Sequence, residues 1–533
     1  MTPNNTQSPF LEKFKVYFKA AQPYLYCETH EENLLQSEVL NYFFDNADGR
    51  GRKATVYGWD EMRGVLKYKG KTSVEELGNA NPAEFIAWYT ALNKSENVNE
   101  HRSVVIVKGF HPYLKLSKSI RTILNCAQPS KQRSNMLVFV SPRFEIPYEL
   151  ETQLVNIDFP LPGVDVLAGR LEVVRSSYTN LLKDTVAIEP RIHHAAVEAA
   201  RGLTYYQAED AFTVASISTG GKFNDDFVSA VFLEKISAIK KTGLLSYMKP
   251  DSSFDDLGGL ADLKNWLKVR SIAFTKEAKE YGIPYPKGVL LASPPGCGKS
   301  QTAKALSKEW NTPCFQLDIG SLFNGTVGST EANFRAVLRI VDAVGKCILF
   351  IDEAEKSLNV DAVAGRGDTG TSSRSFASLL TWMEDHTTPV FVVMTSNNFT
   401  ILPPELIRKG RLSELFWIDI PDIEERKDIW KVIIQRYGRD AQKFDLVALS
   451  KDSDKFTGSE IKDAFVSAMT NAFFIDKEVD QEQVAKVLAD SKPQADVNRA
   501  ELDLMREKSK DKLRSAKGVA VMTTSKEFRL IQH

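Results

Sequence analysis

Along the chain, short runs of Val, Ile, Leu and Phe alternate with longer stretches in which apolar positions recur every three to four residues. The short runs have the make-up of strands buried on both faces, and the longer ones that of helices with a single apolar stripe. Such alternation predicts an α/β fold built around parallel sheets. It is present on both sides of the connector from Ile236 to Asp255, which ends in the polar breaker cluster Lys249-Pro250-Asp251-Ser252-Ser253. The expected organisation is an α/β module over residues 1–245, a large α/β domain over 250–425, a helical lid over 426–490, and a charged helix and tail over 491–533.

Three segments of the first half recur in order in the second, which suggests that the halves are structural copies. Ser141-Pro-Arg-Phe-Glu-Ile-Pro-Tyr-Glu-Leu150, leading to Ile157-Asp-Phe-Pro160, parallels Ser396-Asn-Asn-Phe-Thr-Ile-Leu-Pro-Pro-Glu-Leu406, leading to Ile418-Asp-Ile-Pro421. Thr204 to Phe212 matches Thr457 to Phe465 without gaps, and Val104 to Val107 parallels Ile348 to Ile351.

Bulk composition adds exclusions. With 68 basic and 69 acidic side chains the formal charge is -1, so no overall field draws the 533-residue chain to nucleic acid or anionic membrane. No basic leader with an apolar core opens the sequence, and no run nears the roughly 18 apolar residues that span a bilayer, so a cytoplasmic location is expected. Cys27, Cys126, Cys297, Cys314 and Cys347 lack metal-ligand spacing, which favours reduced thiols. The basic residues Arg506, Lys508, Lys510, Lys512, Arg514 and Lys517 read as an exposed helix and loose tail, a solvated face rather than a nucleic-acid contact.

The candidate chemistry lies in the second half. Gly288 to Ala292 reads as a buried strand, Ser293-Pro-Pro-Gly-Cys-Gly298 as a stiff loop of small residues, and Lys299 to Trp310 as a helix. A loop so placed aims backbone N–H groups and the positive helix end at phosphate oxygens; Lys299 adds a full charge and Ser300 a hydroxyl suited to magnesium. Pro295, Gly296, Cys297, Gly298 and Gln301 complete the expected nucleotide contacts, with Cys297 at a free position of the motif. Ser293 replaces the motif's first glycine, and strain there is expected to weaken nucleotide binding.

A second strand, Cys347 to Ile351, ends in Asp352 and Glu353. Carboxylates at the C-terminal edge of a buried strand suit a metal ion, held by Asp352 with Ser300, and an attacking water polarised by Glu353. A third strand, Val390 to Met394, leads to Asn397, placed to orient that water. Arg408 and Arg411 flank a glycine turn and are candidates for reaching a neighbouring subunit's phosphates.

These residues resemble the AAA ATPase family. The resemblance runs over about residues 250 to 490, from Phe254-Asp-Asp-Leu-Gly-Gly-Leu260, similar to the family's adenine-side motif with Asp256 and Gly258, to Phe456-Thr-Gly-Ser459 with Gly458 on the lid. Val107-Lys-Gly-Phe-His-Pro-Tyr113 and Leu402-Pro-Pro-Glu-Leu-Ile-Arg-Lys-Gly-Arg411 extend it to the hypothetical chloroplast reading frame proteins of cyanobacteria and algal plastids. The resemblance implies a P-loop NTPase parallel sheet sandwiched by helices, a small helical lid, and a preceding degenerate AAA-like module. It further implies ATP and Mg2+ as cofactors, a homo-oligomeric, hexameric ring and a protein substrate or partner, in the cytoplasm or, if plastid-encoded, the plastid stroma. The apolar pattern leaves no membrane role, and the near-neutral charge makes a nucleic-acid remodeller the lesser alternative to a protein remodeller or a nucleotide-gated scaffold.

Two departures qualify the expected activity. Val327-Gly328 follows Asn324-Gly325-Thr326, so the aromatic that peptide-threading rings carry at this pore loop is missing. In the first half, Leu25 to Glu32 stands at the phosphate-loop position without glycine or lysine, and Lys108, Gly109 and Pro142 stand for Asp352, Glu353 and Asn397. That half is expected not to hydrolyse ATP and to serve assembly, regulation or partner binding.

Overall fold

The computed structural model describes residues 8–44, 54–94, 102–142, 146–182, 187–318, 329–356, 369–407, 410–510 and 512–517. It divides into two compact units, Met1–Lys235 and Ile236–His533, with the division inside the helix Asp225–Lys241.

The first unit holds seven strands: β1 (Tyr24–Glu28), β2 (Ala54–Asp60), β3 (Gly64–Tyr68), β4 (Val74–Glu76), β5 (Arg102–Lys108), β6 (Met136–Ser141) and β7 (Leu154–Asn156). Their order in the sheet is β4-β3-β2-β5-β6-β1-β7. β2, β5, β6, β1 and β7 run parallel, while β3 and β4 add antiparallel at one edge.

The second unit holds β8 (Leu245–Met248), β9 (Gly288–Ala292), β10 (Cys314–Leu317), β11 (Cys347–Ile351), β12 (Val390–Ser396), β13 (Glu414–Trp417) and β14 (Arg514–Ser515), in the order β14-β13-β9-β12-β11-β10-β8. Side chains alternate across this sheet with the two-residue period of a strand. Leu290, Leu349, Ile351 and Val392 enter the core on one face, and Val289, Leu291, Ile348 and Val393 the core on the other.

Both sheets are mixed, which corrects the expectation of wholly parallel ones. In the second unit the exception is β8, which lies in the segment read as a connector and pairs antiparallel with β10. Only Leu245 and Met248 of its four residues are buried, too short an apolar pattern to stand out beside a breaker cluster.

The two units repeat one plan. The order β2-β5-β6-β1-β7 matches β10-β11-β12-β9-β13 strand for strand. After the last of these strands, Ile157 N donates to Tyr26 O and Ile418 N to Ala292 O, both at 2.9 Å. Thr204 and Thr457 each close a capping box at the start of a helix, Tyr205–Ser218 and Gly458–Phe474.

Helices Ile423–Arg436, Leu446–Asp452, Gly458–Phe474 and Gln481–Asp490 share a core around Trp430 and Phe465. Beyond them the chain returns to the sheet, contrary to the reading of a solvated helix and loose tail. The helix Arg499–Ser509 buries Leu502 and Met505, and β14 pairs with β13. Burial of one such side chain contributes about 1.5–3 kcal/mol toward holding the helix against the sheet. Arg506 Nε meets both oxygens of Asp419 at 3.0 and 2.9 Å, Arg514 pairs with Asp262, and Lys517 reaches Ile420 O at 2.8 Å and Glu425 at 3.0 Å. Charge alternation along the sequence cannot distinguish these docked cations from solvated ones.

Candidate functional site

The site forms where β9, β11 and β12 end. β9 sits between β12 and β13 while the chain crosses to β10 beyond β11, so strand order reverses around it and opens a crevice at the strand ends. Ser293 N donates to Ser396 O at 3.1 Å, and the loop then turns through Gly296 (φ +82°) and Gly298 (φ +85°) into the helix Lys299–Glu309. Both glycines occupy left-handed backbone that other residues rarely adopt. A Cβ on Gly296 would also stand 2.8 Å from Thr457 Oγ1, because the start of the lid helix closes on the loop and Ser459 N donates to Gly296 O at 3.1 Å.

Ser293 does not strain this turn, contrary to expectation, because its φ is not positive. Its buried hydroxyl donates to Pro294 O at 2.7 Å and accepts from Lys299 Nζ at 2.9 Å. The serine therefore anchors the lysine, with no glycine conformation required at that position.

Lys299 Nζ also donates to Ser293 O at 3.0 Å and to Asn397 Oδ1 at 2.6 Å. Asn397 Nδ2 in turn donates to Glu353 Oε1 at 2.8 Å, and its backbone N to Glu355 Oε1 at 2.8 Å. An ammonium only donates and a carboxylate only accepts, so the two ends of the amide have one consistent orientation. Burial pulls the Lys299 ammonium below its ordinary pKa, opposed by Cys297, Glu355, Asp352 and Glu353. Cys297 keeps partial solvent access, yet the atoms crowding its thiol push its pKa up to about 12, which disfavours the reactive thiolate.

At the tip of β11, Thr395 Oγ1 donates to Asp352 Oδ1 at 2.5 Å and accepts from Glu353 N at 2.9 Å. Glu353 itself has φ +48°, a left-handed conformation that costs a residue with a Cβ roughly 1–2 kcal/mol. Its carboxylate also pairs with Lys356.

A cavity of about 480 Å³ opens over these groups, a size typical of small-molecule sites. Asp256, Gly258, Pro295, Gly296, Cys297, Gly298, Lys299, Ser300, Gln301, Asp352, Glu353, Asn397 and Gly458 all line it. Leu257, Ile418, Ile429 and Ile433 supply an apolar wall, against which Gly258 fits so closely that a Cβ would stand 2.4 Å from Ile429 Cγ1. Asp256 accepts from Ser253 N and Oγ at 2.7 and 2.8 Å, so its carboxylate shapes the turn at the rim.

The donor set suits a magnesium nucleotide. Mg2+ is ordinarily bound by one or two protein oxygens together with substrate phosphates, and the Ser300 hydroxyl and Asp352 carboxylate meet that need. Arg411 is not among the cavity's lining: Nη1 donates to Glu405 O at 3.0 Å and Nη2 approaches Glu384 at 3.4 Å. Arg408 and the pore-loop residues Asn324 to Gly328 lie outside the described residues.

Sequence reasoning missed Glu355, Thr395, Arg436 and Lys462. The first two touch the network from inside it, and the last two line the cavity from the lid. Thr395 left one signal, a polar residue closing an apolar strand; Arg436 and Lys462 are single cations on helices and left none.

The matching place in the first unit is built from a shorter loop and different side chains. Three residues, Thr29 to Glu31, join β1 to the helix Glu32–Phe44, where six separate β9 from the helix Lys299–Glu309. Glu31 accepts from Tyr205 N at the start of the helix Tyr205–Ser218. Lys108, at the register of Asp352, donates to Asn33 Oδ1 at 2.6 Å, and Asn33, like Ser300, is the second residue of its helix.

Residues 289–420 match the ATPase family associated with various cellular activities (AAA), and residues 10–159 match the N-terminal domain of SpoVK-like AAA ATPases. The chain is 33% identical to the AAA domain-containing protein ycf46 of Guillardia theta over 87% of its own length and 88% of that protein. Identity to the protein of the same name is 31% in Trieres chinensis, over 92% and 95% of the two chains, and 32% in Pyropia yezoensis, over 89% and 92%.

Proposed function

The chain belongs to the ycf46 family of AAA-domain proteins, and from that premise we propose that its second unit hydrolyses ATP with magnesium and couples turnover to remodelling of a partner protein. The observation that carries this reading is the continuous path Lys299–Asn397–Glu353 along the floor of the cavity. It links a group suited to phosphate with one suited to water.

In this reading Lys299 and the loop N–H groups bind the β and γ phosphates, and Ser300 and Asp352 hold the metal. The metal would neutralise charge developing on the phosphate oxygens. Glu353 takes the proton of the attacking water and Asn397 orients it. The lysine is held by Ser293, Pro294 and Asn397, so bound phosphate exchanges one set of acceptors for another. Arg408 and Arg411 act on the nucleotide of an adjoining copy in a homo-oligomeric, hexameric ring, a role favoured for Arg411 by its engagement with Glu405 O and its place outside the lining of its own cavity. A soluble compartment, cytoplasm or plastid stroma, suits a chain in which no described helix is long and apolar enough to cross a membrane.

A second reading is a nucleotide-gated scaffold with little motor activity. The first unit favours it, since Lys108 and Asn33 pair there at the positions of the second unit's Asp352 and Ser300. A nucleic-acid remodeller has less support, because Arg506, Arg514 and Lys517 of the basic segment are engaged by carboxylates. Turnover by purified protein with and without captured partners tests the first reading against the second. Partner-stimulated hydrolysis supports the motor, and stoichiometric ATP binding without turnover supports the scaffold.

A further inference from the structure

At the end of β12, one hydroxyl serves two groups of the neighbouring strand. Thr395 is fully buried, and a hydroxyl has a single proton to give. That proton goes to Asp352 Oδ1 at 2.5 Å, while a lone pair accepts from Glu353 N at 2.9 Å. The first bond ties one oxygen of the Asp352 carboxylate. The second satisfies a backbone N–H whose residue turns left-handed, at φ +48°.

The first unit supplies an internal comparison. By strand register Val140 stands where Thr395 does, and Gly109 where Glu353 does. Gly109 has φ +65°, which glycine adopts without a Cβ penalty, and its N–H goes to the Val140 carbonyl at 3.0 Å. The unit with no carboxylate at this strand tip has valine in place of the threonine and makes the same bend with glycine.

We propose that Thr395 is a positioning residue for the ATPase reaction: its hydroxyl orients the Asp352 carboxylate and the Glu353 backbone together, aligning the groups for metal and for water. The proposal rests on the ATPase reading of the cavity. It assigns Thr395 no contact with nucleotide.

The test compares Thr395→Val, which keeps the shape and removes the hydroxyl, with Thr395→Ser, which restores it, in the full-length chain. Affinity for a fluorescent ADP analogue is titrated without magnesium and against increasing MgCl2, and ATP turnover is measured separately. The valine variant is expected to bind the analogue like wild type without magnesium. Its magnesium midpoint should rise, and its kcat fall, by about 10- to 100-fold, the usual effect of removing a group that orients a metal ligand. The serine variant should lie within about threefold of wild type on both measures.

A residue with only a packing role would lower the melting temperature and leave the magnesium midpoint in place. A folded valine variant with wild-type midpoint and wild-type kcat overturns the proposal; Thr395→Ala carries the same expectation if valine does not fold. Absence of turnover in wild type would instead overturn the ATPase reading, and the magnesium titration would still decide the role of Thr395.

Discussion

Lys299 and Asn397 are joined by a 2.6 Å hydrogen bond from ammonium to amide oxygen. Under the ATPase reading the two residues then fail differently when removed. Lys299→Ala removes the ammonium at the helix start behind the loop and should abolish nucleotide binding. Asn397→Ala should bind nucleotide within a few-fold of wild type yet lose about 10- to 100-fold in kcat, because it frees Glu353 and the water it orients. Equilibrium binding and steady-state turnover on both variants check this; equal loss of binding would contradict the division of labour.

Glu353→Gln keeps an acceptor for Asn397 Nδ2 and removes the base. Nucleotide should bind, and hydrolysis should fall by about 100-fold or more, leaving ATP trapped. Single-turnover assays measure the loss, and capture experiments with this variant in ATP should retain whatever the protein acts upon. Wild-type hydrolysis by Glu353→Gln would remove Glu353 from the reaction.

Arg411 is held by Glu405 O and Glu384, and it is absent from the lining of its own cavity. Arg411→Ala should therefore spare nucleotide affinity and lower turnover about a thousandfold, the scale of an arginine supplied by a neighbour. Mixing it with Lys299→Ala subunits should recover activity at mixed interfaces, read as turnover against mixing ratio. A strictly additive mixture would exclude action between subunits.

In the first unit, burial holds the Glu31 carboxyl above the ordinary carboxylate range, against the opposing hydrogen bond from Tyr205 N. The folded state thus keeps a proton over a pH window in which the unfolded chain has released it. Stability from this group is fully present below the ordinary glutamate pKa and declines as pH rises through the raised folded value. Glu31→Gln should raise the melting temperature by a few degrees at pH 8, on the order of 1 kcal/mol, with the advantage vanishing at pH 4. Calorimetry at the two pH values measures it; an equal offset at both would mean that ionisation of Glu31 is not the cause.

Much of this architecture was legible in the sequence because strands buried on both faces are written as uninterrupted apolar runs. Cys347 to Ile351 is one, and its acidic end marks the rim of a crevice. The repeat pointed to a shared plan, and the two strand orders agree. The edge strand β8 was not legible, since only half of its residues are buried and its pairing with Cys314 to Leu317 is long-range. Nor was the docking of Arg506 and Lys517, whose partners Asp419 and Glu425 lie far back in the chain. Strain at Ser293 was not to be judged from the motif, which records a residue type and not the backbone angle it adopts.

The matched order of the two sheets has a consequence for how such a protein changes over time. The first unit retains all five central strands and their buried side chains, although the loop beyond β1 is halved and the acidic tip is replaced by Lys108 and Gly109. The buried strand side chains that build either core therefore lie beneath the strand tips, where the two units differ. Under the ATPase reading, reactivity on this scaffold is a veneer: one copy carries it and the other keeps the framework without it.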